Sequence, residues 1–200
     1  MIITQALKDK GFSFSEVGDM DLSDYLAIKK ICYKKYVDEY FGGWVDDVQV
    51  EMNTNAFNKL IGKSNFIKIL LHDEVVGFFS FDVLEDKISG ITIQVMDKAQ
   101  NMGVGSFYLH HITSLSQKNK TPIFLKVFKS NPAKNLYERF GFKVYEETQS
   151  HYLMRYDPVI ERPKYLGRYD KDLIKSIISK TVRTDEIGIA GYVAYGLLNN

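Results

Sequence analysis

The stretch best suited to chemistry in this chain is Gln100-Asn101-Met102-Gly103-Val104-Gly105-Ser106. Two glycines stand one residue apart where an amphipathic run to Lys118 begins. Glycine costs a helix about 1 kcal/mol against alanine, so its use here needs a reason. One reason is a tight strand-to-helix turn outside ordinary φ/ψ space. The other is an anion cradle, in which N–H groups at a helix start point at a phosphate and the helix dipole favours its charge. The stretch is not a P-loop, because no Lys-Ser/Thr follows Gly105. Nor is it a full dinucleotide fingerprint, which needs a third glycine within a parallel βαβ unit.

A second candidate is "NPAKNLYERFGFK", from Asn131. Asn131 suits a helix N-cap ahead of Pro132, whose missing N–H costs nothing in a first turn. Tyr137 is one of 13 tyrosines, and on its residue type alone it reads as core, packed against Phe140 and Phe142. Other constellations fail. His110 and His111 are helical neighbours that face different directions and cannot chelate together. His72 and His151 fall on strand-like runs with no Cys or carboxylate at ligand spacing, and no G-x-S-x-G elbow occurs. No metal site is expected. Cys32, the only cysteine, sits in a helical context and reads as a buried structural thiol.

These residues need elements to position them. "FSFSEV" (Phe12 to Val17) alternates like a strand. Asp21 then suits a helix cap, with Leu22, Leu26, Ile28, Ile31, Cys32 and Tyr36 as the buried side. "FGGW" breaks that helix, and a second spans about 46–61, ended by Gly62. "NFIKILLH", "DEVVGFFSFDVLED" and "KISGITIQVM" read as an antiparallel meander with turns at Asp73-Glu74 and Glu85-Asp86. A helix over 103–118, the strand "PIFLKVF", a short helix from Asn131, and the strands "FKVYEE" and "SHYLMRY" complete the order. Strand–helix–strand through 103–118 predicts one parallel pair, with a right-handed crossover, inside an otherwise antiparallel sheet.

Composition bounds the partners. Lys and Arg number 26 against 25 Asp and Glu, for a formal charge of +1. No bulk field favours nucleic acid or an anionic membrane, so anion binding must be local. No run approaches the ~20 apolar residues of a membrane helix, and no signal peptide is visible, so a cytoplasmic protein is expected. The chain divides into a domain over 1–157 and an extension over 158–200. There, Leu173, Ile174, Ile177, Ile178 and Val182 share one helical face. Docking of that face on its own domain and a homodimer contact stand as equal alternatives.

Together, the two motifs resemble the signatures of the GCN5-related N-acetyltransferases (GNAT): Q/R-x-x-G-x-G/A at Gln100–Gly105, then an Asn-led helix carrying Tyr137 and closing with Gly-Phe. The resemblance covers about residues 12–157. It implies an α/β fold with a mixed, mostly antiparallel sheet, a central parallel pair and flanking helices. It also implies acetyl-CoA as co-substrate and a primary amine as acceptor. Its pyrophosphate would lie on the backbone of Gln100, Asn101, Met102, Gly103, Val104, Gly105 and Ser106, the glycines admitting it where a Cβ would intrude. Gln94, Val95 and Met96 would bond the pantetheine arm as a strand does, and Asn131 would contact that arm. Tyr137 would protonate the departing thiolate. The base is left unassigned: the meander's last strand offers only Ser89, Thr92 and Gln94, and Asp82 and Glu85 read better as surface charge. That gap favours an alternative, a non-catalytic acyl-CoA sensor. The aromatics of "EYFGGW" with Phe57 line an acceptor pocket or belong to the core.

Overall fold

The computed structural model describes residues 1–63 and 65–159. Along them run α1 (Gln5–Lys8), β1 (Phe12–Glu16), α2 (Leu22–Phe41), α3 (Asp46–Leu60), β2 (Ile67–Leu71), β3 (Glu74–Val83), β4 (Ile88–Val95), α4 (Val104–Asn119), β5 (Ile123–Phe128), α5 (Ala133–Arg139), β6 (Lys143–Glu147) and β7 (His151–Tyr156). One sheet holds all seven strands in the order β1-β2-β3-β4-β5-β7-β6. Every neighbouring pair is antiparallel except β4 with β5. The expected order and the single parallel pair are both present. The extension's apolar face lies outside the described residues.

The sheet has a core on each face, and consecutive residues of β3 serve both, since side chains alternate along a strand. Phe78 and Phe79 are each fully buried. Phe78 joins Tyr25, Ile28, Phe57 and Phe66 under α2 and α3. Phe79 joins Tyr108, Leu109 and Ile112 of α4 in the larger core, stacked on Tyr108 at 4.3 Å. The Tyr108 hydroxyl donates to the Ser80 carbonyl at 2.6 Å, pinning α4 to β3.

Local chemistry departs from the sequence reading in four places. The first hairpin turns on His72 and Asp73, whose φ of 49° and 66° give the double positive-φ geometry that matches strand twist; Glu74 already belongs to β3. The short α1 was not expected. Ile31 is 53% exposed, because the buried stripe of α2 runs through Tyr25, Ile28 and Tyr36 instead. Asp21 does not cap α2. A 3₁₀ turn over Asp19–Asp21 comes first. The Asp21 carboxylate accepts from the Gly18 N–H at 2.7 Å and from Lys68 Nζ of β2 at 2.7 Å, tying the helix entry to the sheet.

β4 and β5 pair at one position, Ile88 against Ile123, where the Ile88 N–H donates to the Pro122 carbonyl at 2.8 Å. Beyond it no ladder joins them. β4 also carries an extra residue: Thr92 faces Ser80 and Ser89 faces Asp82, so two residues, Gly90 and Ile91, oppose Phe81 alone. Such a bulge bends its strand.

Both partners of the Asp21–Lys68 pair are largely buried, with side-chain exposures of 11% and 20%. Asp21→Ala leaves an ammonium and the Gly18 N–H unpaired, so it is expected to cost roughly 1–3 kcal/mol in urea unfolding. Adding Lys68→Met should recover part of that loss.

Candidate active site

The Gln100–Ser106 turn forms as a strand end, a left-handed step and a helix start. Asn101 has φ 59° and Gly103 has φ 100°, and Gly103 is the residue preceding α4. A β-carbon at Gly103 would meet only Leu7 Cδ2, at 4.0 Å, so the positive φ and not crowding requires glycine there. At Gly105 a β-carbon would come within 3.3 Å of Leu136 Cδ2, so that glycine lets α4 lie close to α5. Both glycines therefore have reasons that operate without a ligand. The feature that points to an anion is a different one. No side chain caps α4, no acidic residue stands in its first turn, and its first N–H groups have no acceptor within the helix. The Asn101, Met102 and Gly103 amides also find no acceptor among the described residues. Lys10 Nζ donates to the Met102 carbonyl at 2.8 Å, setting a cation beside the turn. A cleft of about 560 Å³ opens alongside, lined by Thr4, Lys10, Gly103, Ser106 and His110 among others.

The three main-chain positions on β4 divide. The Gln94 carbonyl faces Gly77 of β3, and the Met96 N–H donates to the Val76 carbonyl at 2.8 Å. By the alternation of a ladder, Val95 between them turns its polar groups to the gap. Its carbonyl accepts from Gln100 Nε2 at 2.8 Å, and the Cys32 thiol lies in hydrogen-bond contact with its main chain. Burial pushes the Cys32 thiol up to about 11, against a smaller downward pull from Val95. A raised thiol is a packing group, not a nucleophile.

Tyr137, on α5, lies near Tyr33 and Tyr36 of α2. It is 9% exposed and meets Phe142 edge-on at 6.0 Å, so it packs in the core as its residue type suggested. Its hydroxyl has no hydrogen-bond partner among the described residues, and burial pushes its pKa up to about 12, with Tyr36 adding to the shift. The phenol thus keeps its proton at neutral pH. Asn131 Oδ1 accepts from the Ala133 N–H at 2.9 Å, a capping contact that leaves its Nδ2 without a partner among the described residues.

Tyr33 and Tyr36 near Tyr137 belong to a stripe of α2, with Tyr25, Lys29 and Cys32, of which the sequence reading had placed only Cys32 and Tyr36 on the buried side. Burial raises the Tyr33 pKa, and Tyr137 and Cys32 lie near enough to add to it. The only signal for this stripe was its spacing, which also fits plain core. Below it, Gln94 is fully buried, and both polar atoms of its side chain lack a hydrogen-bond partner. One carboxylate stands at the Val95 end that the sequence reading did not weigh: Asp97 Oδ1 accepts at 2.9 Å from Gln100 Nε2, the same amide that donates to the Val95 carbonyl. Asp82 lies near the paired end of β4, held by Lys63 at 2.8 Å, and Glu85 is exposed in the turn. The aromatics of the α2–α3 region separate. Phe57 is core, 1% exposed. Phe41 reaches Phe128 and His151 at ring distances of 6.3 and 6.5 Å. Trp44 lines a small cleft between α2 and α3.

Residues 30–142, more than half of the chain, match the acetyltransferase (GNAT) family. The chain belongs to that family. No curated protein matches it in sequence. Among solved structures, this GNAT chain is similar to the PaiA N-acetyltransferase of Thermoplasma acidophilum in complex with coenzyme A, with 16% identity over 73% of this chain and 98% of that one and a TM-score of 0.58. It is similar to Arabidopsis thaliana Naa50 in complex with the bisubstrate analogue CoA-Ac-MVNAL (17%; 74% and 99%; TM-score 0.52). It is also similar to the ribosomal-protein-S18-alanine N-acetyltransferase of Escherichia coli (19%; 76% and 97%; TM-score 0.51). At such identities the likeness establishes the GNAT fold.

Two histidines border these elements. The His151 ring lies tilted against Phe128 at 4.1 Å, and burial, with Lys126 adding, lowers its pKa. Burial also lowers that of His111. The folded GNAT domain thus resists protons that the unfolded chain accepts below an ordinary pKa of 6.5. Stability is present above that pH and is lost as pH falls through the folded values. The melting temperature is expected to drop between about pH 7.5 and 5.5, and His151→Gln should reduce the drop.

Proposed function

We propose that this GNAT protein transfers an acetyl group from acetyl-CoA to a primary amine by direct attack. The observation that carries this reading is a convergence. An uncapped helix start, a Val95 without a partner on its β5 side and a protonated Tyr137 hydroxyl occur together, and α2 neighbours both Val95 and Tyr137. When bound, acetyl-CoA supplies an activated acyl group and a thiol leaving group.

The chain's own residues fit that group. The amides from Gln100 to Ser106, with Lys10 nearby, would hold the pyrophosphate. Val95, flanked by Gln94 and Met96, offers the strand groups for the pantetheine arm once the Gln100 amide releases its carbonyl. Asn131 Nδ2 is free to donate to the arm. Tyr137 holds a proton at its phenol oxygen, where a departing thiolate needs one. The N-acetyltransferase names of the structural relatives, and the CoA ligands in two of them, support the reading. A second reading, an acyl-CoA sensor without turnover, is favoured by β4 itself, which carries Ser89, Thr92 and Gln94 but no carboxylate.

Calorimetry with acetyl-CoA tests the site. The expected result is saturable binding that Gly103→Val abolishes; no heat at about millimolar ligand removes both readings. An amine screen with thiol release as readout then separates them. In an acetyltransferase, Tyr137→Phe should lower turnover about 10²–10⁴-fold while the Kd for acetyl-CoA holds. A sensor has no turnover to lose.

A further inference from the structure

Residues 25, 29, 32, 33 and 36 recur at helical spacing, so they share one face of α2. That face meets the gap: Cys32 contacts the Val95 main chain, and Tyr33 lies near Tyr137. Lys29 sits within this row. Its Nζ is 4.7 Å from the Tyr33 ring centre and 5.6 Å from that of Tyr25. Lys30 and Lys34, on other faces of the same helix, pair with Asp46 and Asp38. Lys29 has no carboxylate within 4.0 Å among the described residues.

The groups facing Lys29 explain its state. Lys126 approaches from β5; Tyr25, Cys32 and Tyr33 come from α2 itself. Burial lowers its pKa to about 8, Lys126 acts in the same direction, and Cys32 opposes them. The two rings favour the ammonium, but its lost hydration dominates. At pH 7 about a tenth of Lys29 is neutral, roughly two orders of magnitude more than an ordinary lysine.

We infer that Lys29 is itself an acetyl acceptor, taking the group intramolecularly from acetyl-CoA bound in the β4–β5 gap. The inference rests on the acetyl-CoA reading above. The step balances as follows. The Nζ lone pair forms an N–C bond to the acyl carbon as the C–S bond breaks. Tyr137 gives its proton to the leaving sulfur, the amine N–H proton passes to solvent, and Tyr137 regains a proton from solvent. The products are Nζ-acetyl-Lys29 and free CoA thiol.

The test incubates the full chain with acetyl-CoA and follows acetylation of each lysine by peptide mass spectrometry, with exposed Lys118 as internal reference. A parallel arm uses limiting acetic anhydride, which needs no nucleotide site. Lys29 is expected to label at least about tenfold faster than Lys118 in both arms. With acetyl-CoA its rate should saturate, fall with excess CoA, and be independent of protein concentration. Tyr137→Phe should slow only the acetyl-CoA reaction, and Lys29→Arg should remove the fast phase while retaining CoA binding by calorimetry. Labelling of Lys29 by acetyl-CoA no faster than Lys118, or at a rate linear in acetyl-CoA and insensitive to CoA, overturns the inference. If CoA binds and Lys29 stays unlabelled, only the inference falls; if CoA does not bind, the acetyl-CoA reading falls with it.

Discussion

The constraint on which the rest of this structure depends is the single parallel contact between β4 and β5. A strand end without a ladder leaves N–H and C=O groups that must find partners. Val95 finds them in a side-chain amide and a thiol, from Gln100 and Cys32. Both are partners that a competing strand-like ligand can displace. The bulge at Gly90 and Ile91 shifts the β3–β4 register, and the Tyr108 hydroxyl fixes α4 against β3. Across the gap, the Tyr40 hydroxyl accepts from the Ser130 N–H at 3.1 Å, and Ser130 Oγ donates to Glu39 at 2.6 Å. The end of α2 is thereby anchored to the loop that leads into α5. The gap is a built feature, held from several sides.

Its electrostatics are local, as a formal charge of +1 requires. On one side, uncapped amides and Lys10 gather positive potential at the α4 start. On the other, burial governs: Tyr25, Tyr33, Tyr108 and Tyr137 all have raised pKa values, with desolvation as the first cause in each. Each of these phenols therefore keeps its proton at neutral pH. The same dry surroundings push Lys29 the opposite way, towards the neutral amine, because burial disfavours whichever form is charged. Desolvation thus moves the phenols and the amine in opposite directions, each towards its neutral form.

The element order, the meander, the parallel pair and the glycine turn were all legible in the sequence. They rest on local rules: period-2 alternation, helical spacing, and glycine or Asn-Pro at element ends. Even so, local rules misplace individual roles. Asp21 has the residue type of a helix cap, yet Lys68, 47 positions away, claims its carboxylate. Gly105 reads as a phosphate glycine, yet Leu136 of α5 supplies a reason for it in the fold itself.

The sequence by itself determined which elements form and in what order, and through two spaced motifs it determined the family. Only the tertiary structure decided which residues look into the gap: Val95 rather than its neighbours on β4, and Lys29, Cys32 and Tyr33 rather than Ile31 on α2. It also decided which charges lose their water. The physical reason is that facing and burial depend on contacts between elements distant in the chain. Propensity and periodicity describe one element at a time, and desolvation exists only where two of them meet.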